Sequence, residues 1–225
     1  MSKITDRLER IAEKARAALA LKDAAREKAL DLSRDTVRHS ADAIRAVHRG
    51  DYEEARSRLA TARSLLRQLD EALVQHQDLL HTGFVFSAQK EYAEGCITLG
   101  LITENNLPDT GELGIDHAAY LNGLGEAVGE LRRHILDLIR KGDLQRCEEL
   151  LEIMDDMYGV LVTMDFPEAM TGGLRRTTDA VRGILERTRG DLTVALRQWD
   201  LEVRLAAFER SMRSSGQLPA KEDKP

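Results

Sequence analysis

Two pairs of acidic residues lie where a core would be expected. In the run FVFSAQKEYAEGCITLGLI, Glu91 and Glu94 sit three residues apart among apolar neighbours, a spacing that puts both carboxylates on one face of a helix. YLNGLGEAVGEL repeats the pattern with Glu126 and Glu130, four apart. Consecutive antiparallel helices could point the two pairs at each other. Like charges at contact distance repel by about 4 kcal/mol at an effective dielectric near 20, so shared protons or a divalent cation would have to offset the repulsion. An oxygen-only donor set selects hard metals, Mg²⁺ or Mn²⁺ rather than zinc. A di-iron centre of the bundle type needs Glu-x-x-His pairs, whereas His134 follows Glu130 by four residues and no Glu-x-x-His occurs in the chain. The other reading is that each glutamate forms a salt bridge, with Lys90, Arg132 or Arg133 nearby. The pattern alone leaves both readings open.

Little else in the chain suggests chemistry. The six histidines, at 39, 48, 76, 81, 117 and 134, lie apart in sequence, and the two cysteines, Cys96 and Cys147, sit in no zinc spacing and read as core thiols. A P-loop and a dinucleotide fingerprint are both absent. Glycines crowd the acidic segments, at 95, 100, 123, 125 and 129. Each weakens a helix by about 1 kcal/mol relative to alanine, which points to close helix packing or to room for a ligand. Arg175, Arg182 and Arg189 recur at seven, a stripe suited to phosphates or, the favoured reading, to the acidic helix that precedes it.

The elements that must position these groups are helices. The four prolines fall at 108, 167, 219 and 225, outside the periodic segments. Ile4, Leu8, Ile11, Ala15 and Ala18, then Val37, Ala41, Ile44 and Val47, make one amphipathic stripe over 3–49. Gly50 ends it. Asp51 with Glu54 predicts a capping box for a second helix, to about Gln75, with Leu59, Ala62, Leu66, Leu69 and Leu73 as its apolar face. A third helix, about Asp78 to Glu104, is apolar around most of its circumference and reads as the central, most buried one; NNLPDTGELG after it reads as a loop. Further helices are predicted over about His117 to Arg140, Leu144 to Met164 and Leu174 to Met212, the last with a bend near Gly190-Asp191. Three Arg/Lys-Gly-Asp triplets, at 49–51, 141–143 and 189–191, read as cation, C′ glycine and N-cap at helix junctions. The expected fold is all-α: a bundle of six to seven long antiparallel helices forming a single domain over 1–212, followed by a flexible tail at 213–225.

Composition sets outer limits. A hydrophobic content of 42% in 225 residues is ample for a core, so the chain is not globally disordered. No uncharged run, Gly95 to Thr103 included, is long enough to cross a bilayer, and the first twenty residues are too charged for a signal peptide; the expected location is cytoplasmic. The net charge of −6 gives no whole-surface attraction for nucleic acid, so binding would need a local basic patch.

Four segments resemble the translin/Trax family: LSRDTVRHSADAIRAVHRGD at 32–51, KEYAEG at 90–95, YLNGLGEAVGELRR at 120–133 and MDFPEAMTGGLRRTTDAVRGILERTRGDL at 164–192. Their order and spacing agree with the family, and the chain looks like its prokaryotic, single-gene branch, in which one chain forms both shell and active site. The resemblance implies an all-α protein that assembles as a hollow homo-octamer and binds single-stranded RNA or DNA. Trax-type members carry a Mg²⁺-dependent endoribonuclease site, whose Glu-Tyr-x-Glu falls on Glu91 and Glu94 and whose acidic pair falls on Glu126 and Glu130. Trax has aspartate where this chain has Glu126. The function so implied is Mg²⁺-dependent (or Mn²⁺-dependent) endoribonucleolytic cleavage of single-stranded RNA, with Glu91, Glu94, Glu126 and Glu130 as metal ligands, Glu130 directly or through water. Arg132, Arg133, Arg175 and Arg182 are the candidates for touching nucleic acid. A translin-like binder of single-stranded RNA or DNA that does not cleave is the alternative, and a helical scaffold without a nucleic-acid ligand comes third.

Overall fold

Gly50 and Gly142 adopt left-handed φ of 82° and 80°, and each ends a long helix where a residue with a Cβ would be strained. They belong to a computed structural model that describes residues 3–103 and 106–214. Its elements are α1 (Lys3–Arg49), α2 (Tyr52–Leu73), a 3₁₀ turn (Gln77–Leu79), α3 (Gly83–Thr103), α4 (Thr110–Leu113), α5 (His117–Lys141), α6 (Leu144–Val162), α7 (Glu168–Thr171) and α8 (Leu174–Ser214). No strand occurs among the described residues. The expected all-α bundle with six long helices is what the sequence folds into, and among the described residues no helix is long and apolar enough to cross a membrane.

Helix directions follow from paired contacts. Ser33 donates to the Phe84 carbonyl at 2.7 Å while His48, farther along α1, reaches Glu130 of α5. The Asp116 N–H at the start of α5 donates to Gln89 near the start of α3, and Arg146, at the α5–α6 junction, donates to the Leu101 carbonyl near the α3 end. So α1, α3 and α5 run the same way. α8 joins them, since Thr177 bonds Asn122 and Thr188 bonds Arg132. α2 and α6 run against the other four. The consecutive α3 and α5 are therefore parallel rather than antiparallel, because the segment between them, which holds α4, travels back along the bundle before α5 starts.

Local chemistry explains the other departures from expectation. Asp51 makes no capping bond; its carboxylate and that of Glu54 are taken by Arg49, at 3.0 and 2.8 Å. A true capping box forms instead at Asp109 and Glu112, inside the expected loop. Gly190 ends nothing: α8 passes through it, tied on either side by Arg189–Asp155 at 3.0 Å and Arg132–Asp191 at 2.8 Å. Packing on α5 and α6 outweighs the roughly 1 kcal/mol that glycine costs a helix. α8 also continues through Arg213 and Ser214, and the remaining tail residues lie outside the described ones.

The core is one large cluster with a second, smaller one of Ala29, Leu69, Leu73, Leu79 and Val85. Leu59, Ala62 and Leu66 of α2, Ile97 of α3, Leu131 and Ile135 of α5, Leu150 and Met154 of α6, and Val181 and Leu185 of α8 share one buried cluster. The expected α2 face is buried as read, and α3 is buried on most sides. Cys147 is fully buried, whereas Cys96 is only partly so. The first half of α1 differs: Ile4, Leu8 and Ile11 are 71%, 59% and 55% exposed, so this part of the stripe covers nothing within the chain. The second half of α8 does the same with Trp199, Leu205 and Phe208.

Candidate metal centre

Gly123 sets the spacing of the site. A Cβ built on it would lie 2.7 Å from both the Ala93 Cβ and the Lys90 carbonyl oxygen, so α5 meets α3 at a distance that no larger residue permits. Of the two readings of the glycine-rich segment, packing accounts for this position. The close approach brings Glu91 and Glu94 of α3 against Glu126 of α5, with one ligand atom from each within 4.8 Å of the others. Parallel helices thus achieve part of the convergence expected of antiparallel ones: Gly123 lies level with Lys90 and Glu94, which brings Glu126, but not Glu130, into the cluster.

Burial makes this cluster costly. Glu94 is 9% exposed, and desolvation, with the charges of Glu91, Glu126 and Glu130 adding to it, pushes its pKa up to about 8. Burial raises Glu91 in the same direction, with Lys90 opposing it. The compensating charge is Lys90, whose Nζ lies 2.5 Å from Glu126 Oε1 and 3.6 Å from Glu91 Oε1. Burial works against the Lys90 ammonium, but the Glu126 hydrogen bond and the surrounding carboxylates raise its pKa on balance. One ammonium faces three carboxylates.

Glu130 has a different environment. Its Oε2 lies 2.5 Å from His48 Nε2, and the His48 side chain is 3% exposed. The hydrogen bond to His48 holds the Glu130 carboxyl below the usual range despite partial burial. His48 Nδ1 is buried and has no hydrogen-bond partner among the described residues. Glu130 therefore belongs to a separate pair beside the three-carboxylate cluster. The sequence reading missed His48 because its partner lies 82 positions away; the one available sign was a histidine on the apolar side of α1, next to Val47. His134 is not a partner of the cluster, and burial lowers its pKa, the charge of His48 adding to that.

The four arginines separate. Arg132 is committed within the chain, to Thr188 at 3.1 Å and Asp191 at 2.8 Å. Arg133 is exposed at the rim, 3.9 Å from Glu130 Oε2. Arg175 is 88% exposed and 3.9 Å from Asp165, and Arg182 pairs along its own helix with Asp179 at 3.6 Å. Of the stripe, only Arg189 reaches the acidic helix before it, bonding Asp155 of α6 at 3.0 Å. Burial pushes the Cys96 and Cys147 thiols up to about 12 and about 11, which makes them poor nucleophiles.

The donor chemistry fits a hard divalent cation: three carboxylates, no nitrogen or sulfur, and a deficit of positive charge. No protein-family model matches the chain. A relative in Methanocaldococcus jannaschii, the uncharacterized protein MJ0175, is 31% identical over 189 residues, 83% of each chain. The structure of AfC3PO in complex with duplex RNA is similar at a TM-score of 0.71 and 32% identity, covering 83% of this chain and 97% of that one. Apo-NeC3PO, at 23% identity and a TM-score of 0.70 over 87% of this chain and 98% of its own, shares the fold. C3PO is the translin/Trax complex. The segments at 32–51, 90–95, 120–133 and 164–192, the bundle that brings them together and these solved relatives agree, and the chain belongs to the translin/Trax family.

Proposed function

We propose that this chain is a Mg²⁺-dependent endoribonuclease that cleaves single-stranded RNA inside a homo-octameric RNA-binding shell, with Mn²⁺ able to replace Mg²⁺. The observation that carries the reading is the convergence of Glu91, Glu94 and Glu126 around a single ammonium. These three side chains hold the cation. When bound, the cation lowers the pKa of a water and stabilises the charge that develops on the phosphodiester. Glu94, buried on α3, fixes the donor set from the core side, and Glu126 completes it from α5. Glu130, oriented by His48, supplies a carboxylate that accepts hydrogen bonds at the edge of the site. No histidine has to act as base at the cleavage point, since an unliganded carboxylate can take the proton.

Binding of the strand falls to exposed cations. Arg133 stands beside Glu130, and Arg175 and Arg182 lie free enough of their acidic neighbours to trade them for phosphates. Arg132 serves by holding α5 to α8. The bare apolar stripes of α1 and α8 support assembly from several copies, because surfaces of this kind are ordinarily covered in solution.

The test is incubation of labelled RNA with Mg²⁺ and then with EDTA. Fragments that appear only with the cation support the reading. Two specific observations favour other readings. AfC3PO is seen with duplex RNA, so a duplex substrate belongs in the same assay; cleavage of duplex in preference to single strand would replace that part of the proposal. Lys90 already pairs with Glu126, which suits a binder without chemistry. Salt-sensitive RNA binding with no cation-dependent cleavage would establish that alternative.

A further inference from the structure

We propose that Lys90 is a built-in counter-cation that competes with the divalent ion for Glu126 and Glu91 and so sets the concentration at which the site loads. The inference rests on the metal-binding reading above and concerns a residue outside the ligand set. Lys90 is held where it must compete. Its backbone is pinned by Gly123, whose missing side chain lets α5 approach the Lys90 carbonyl. Its side chain then runs across the helix interface to Glu126, 2.5 Å away, rather than out to solvent, and is 20% exposed. The second contact, to Glu91 at 3.6 Å, places the ammonium between two of the three donors.

The arrangement has a physical reason. Without any cation, three partly buried carboxylates would repel one another through the folding of every metal-free chain. An ammonium on the same helix neutralises part of that charge and allows the bundle to close before metal arrives. The cost falls on metal affinity, because the ion must both overcome the positive charge and separate Nζ from the carboxylate it is bonded to. A lysine suits this role better than an arginine, since its four-carbon stem can swing aside while the planar fork of a guanidinium holds a carboxylate in two places.

Full-length Lys90→Met keeps the apolar stem and removes the charge. Mn²⁺ binding followed by calorimetry, with melting curves in EDTA as a second readout, separates the roles. The expected result is Mn²⁺ affinity raised by about tenfold or more, together with a lower melting temperature in EDTA that Mn²⁺ restores. Lys90→Arg should bind Mn²⁺ no more tightly than the wild type. Should Lys90→Met not fold without metal, Lys90→Gln takes its place in the titration. Wild-type uptake of Mn²⁺ with an equal or weaker affinity in the neutral variants would overturn the inference, because a merely structural lysine moves melting and not this order of affinities. Failure of wild type and neutral variants alike to take up Mn²⁺ would overturn both this inference and the metal-binding reading. Uptake by the neutral variants alone would support competition in its strongest form.

Discussion

Glu126 and Glu130 occupy the same helix one turn apart, yet their surroundings oppose each other. Glu130 has one partner from another helix, His48, and is held in its charged form. Glu126 shares one lysine with Glu91, while Glu94 behind them is pushed towards neutrality. A partly buried carboxylate with its own donor is a structural element, whereas three carboxylates beside one ammonium are a site short of positive charge. The fold keeps both arrangements side by side. What separates them is only which neighbour each face of α5 meets: α1 supplies a histidine, and α3 supplies more acid.

If this contrast governs function, the largest effect comes from removing one charge in the cluster. Glu126→Gln should cut RNA cleavage by about a thousandfold or more while RNA still binds, since a bound cation would supply several kcal/mol of transition-state stabilisation. Glu130→Gln should cost far less. Equal losses in a side-by-side cleavage assay would show that the two glutamates act as one unit and erase the distinction.

The pH dependence of metal-free stability should also divide the two regions. Glu94, raised to about 8, and Glu91, raised in the same direction, hold protons in the folded state that the unfolded chain gives up. Their contribution is full below the ordinary carboxylate range and is lost as pH climbs through about 8. Glu130, lowered by His48, contributes above the ordinary range and loses its share as pH falls through its own lowered value. Melting in EDTA should therefore weaken steadily from pH 5 to 8, and Mn²⁺ should abolish that decline. A flat profile in EDTA would mean that the cluster carries no excess charge.

Smaller effects sharpen the picture. His48→Gln should cost about 1–3 kcal/mol of stability, the usual consequence of stripping a partly buried polar group of its partner, and leave Mn²⁺ affinity within about threefold. A large loss of affinity would bring Glu130 into the metal site. Least of all, Arg133→Gln should leave stability and metal uptake unchanged and flatten the salt dependence of RNA binding by about 0.7 in log–log slope, the value of one phosphate contact on a single strand.

The fold was largely legible because each long helix carries its own signal. The Leu59, Ala62, Leu66, Leu69 and Leu73 face is buried as its period requires, and Gly50 and Gly142 turn where charge and glycine coincide. Gly190 shows the limit: the same triplet stays helical where two neighbouring helices grip it. Asp109 and Glu112 carried a readable capping box within an apparent loop, while the box expected at Asp51 was lost to Arg49, a competitor no local pattern weighs. At the site, spacing paired Glu91 with Glu94 and Glu126 with Glu130, but the structure groups only Glu126 with the first pair. The direction of α5 relative to α3 and the claim of His48 on Glu130 depend on contacts between distant parts of the chain, and no periodicity encodes those.

Whether Glu91, Glu94 and Glu126 hold a divalent cation without Glu130 is decided by a crystal soaked in Mn²⁺ and measured at the manganese absorption edge. Anomalous density is expected within bonding distance of carboxylate oxygens from all three residues and none on Glu130, which stays with His48. Density absent from that cluster, with Lys90 still seated on Glu126, would rule the metal site out.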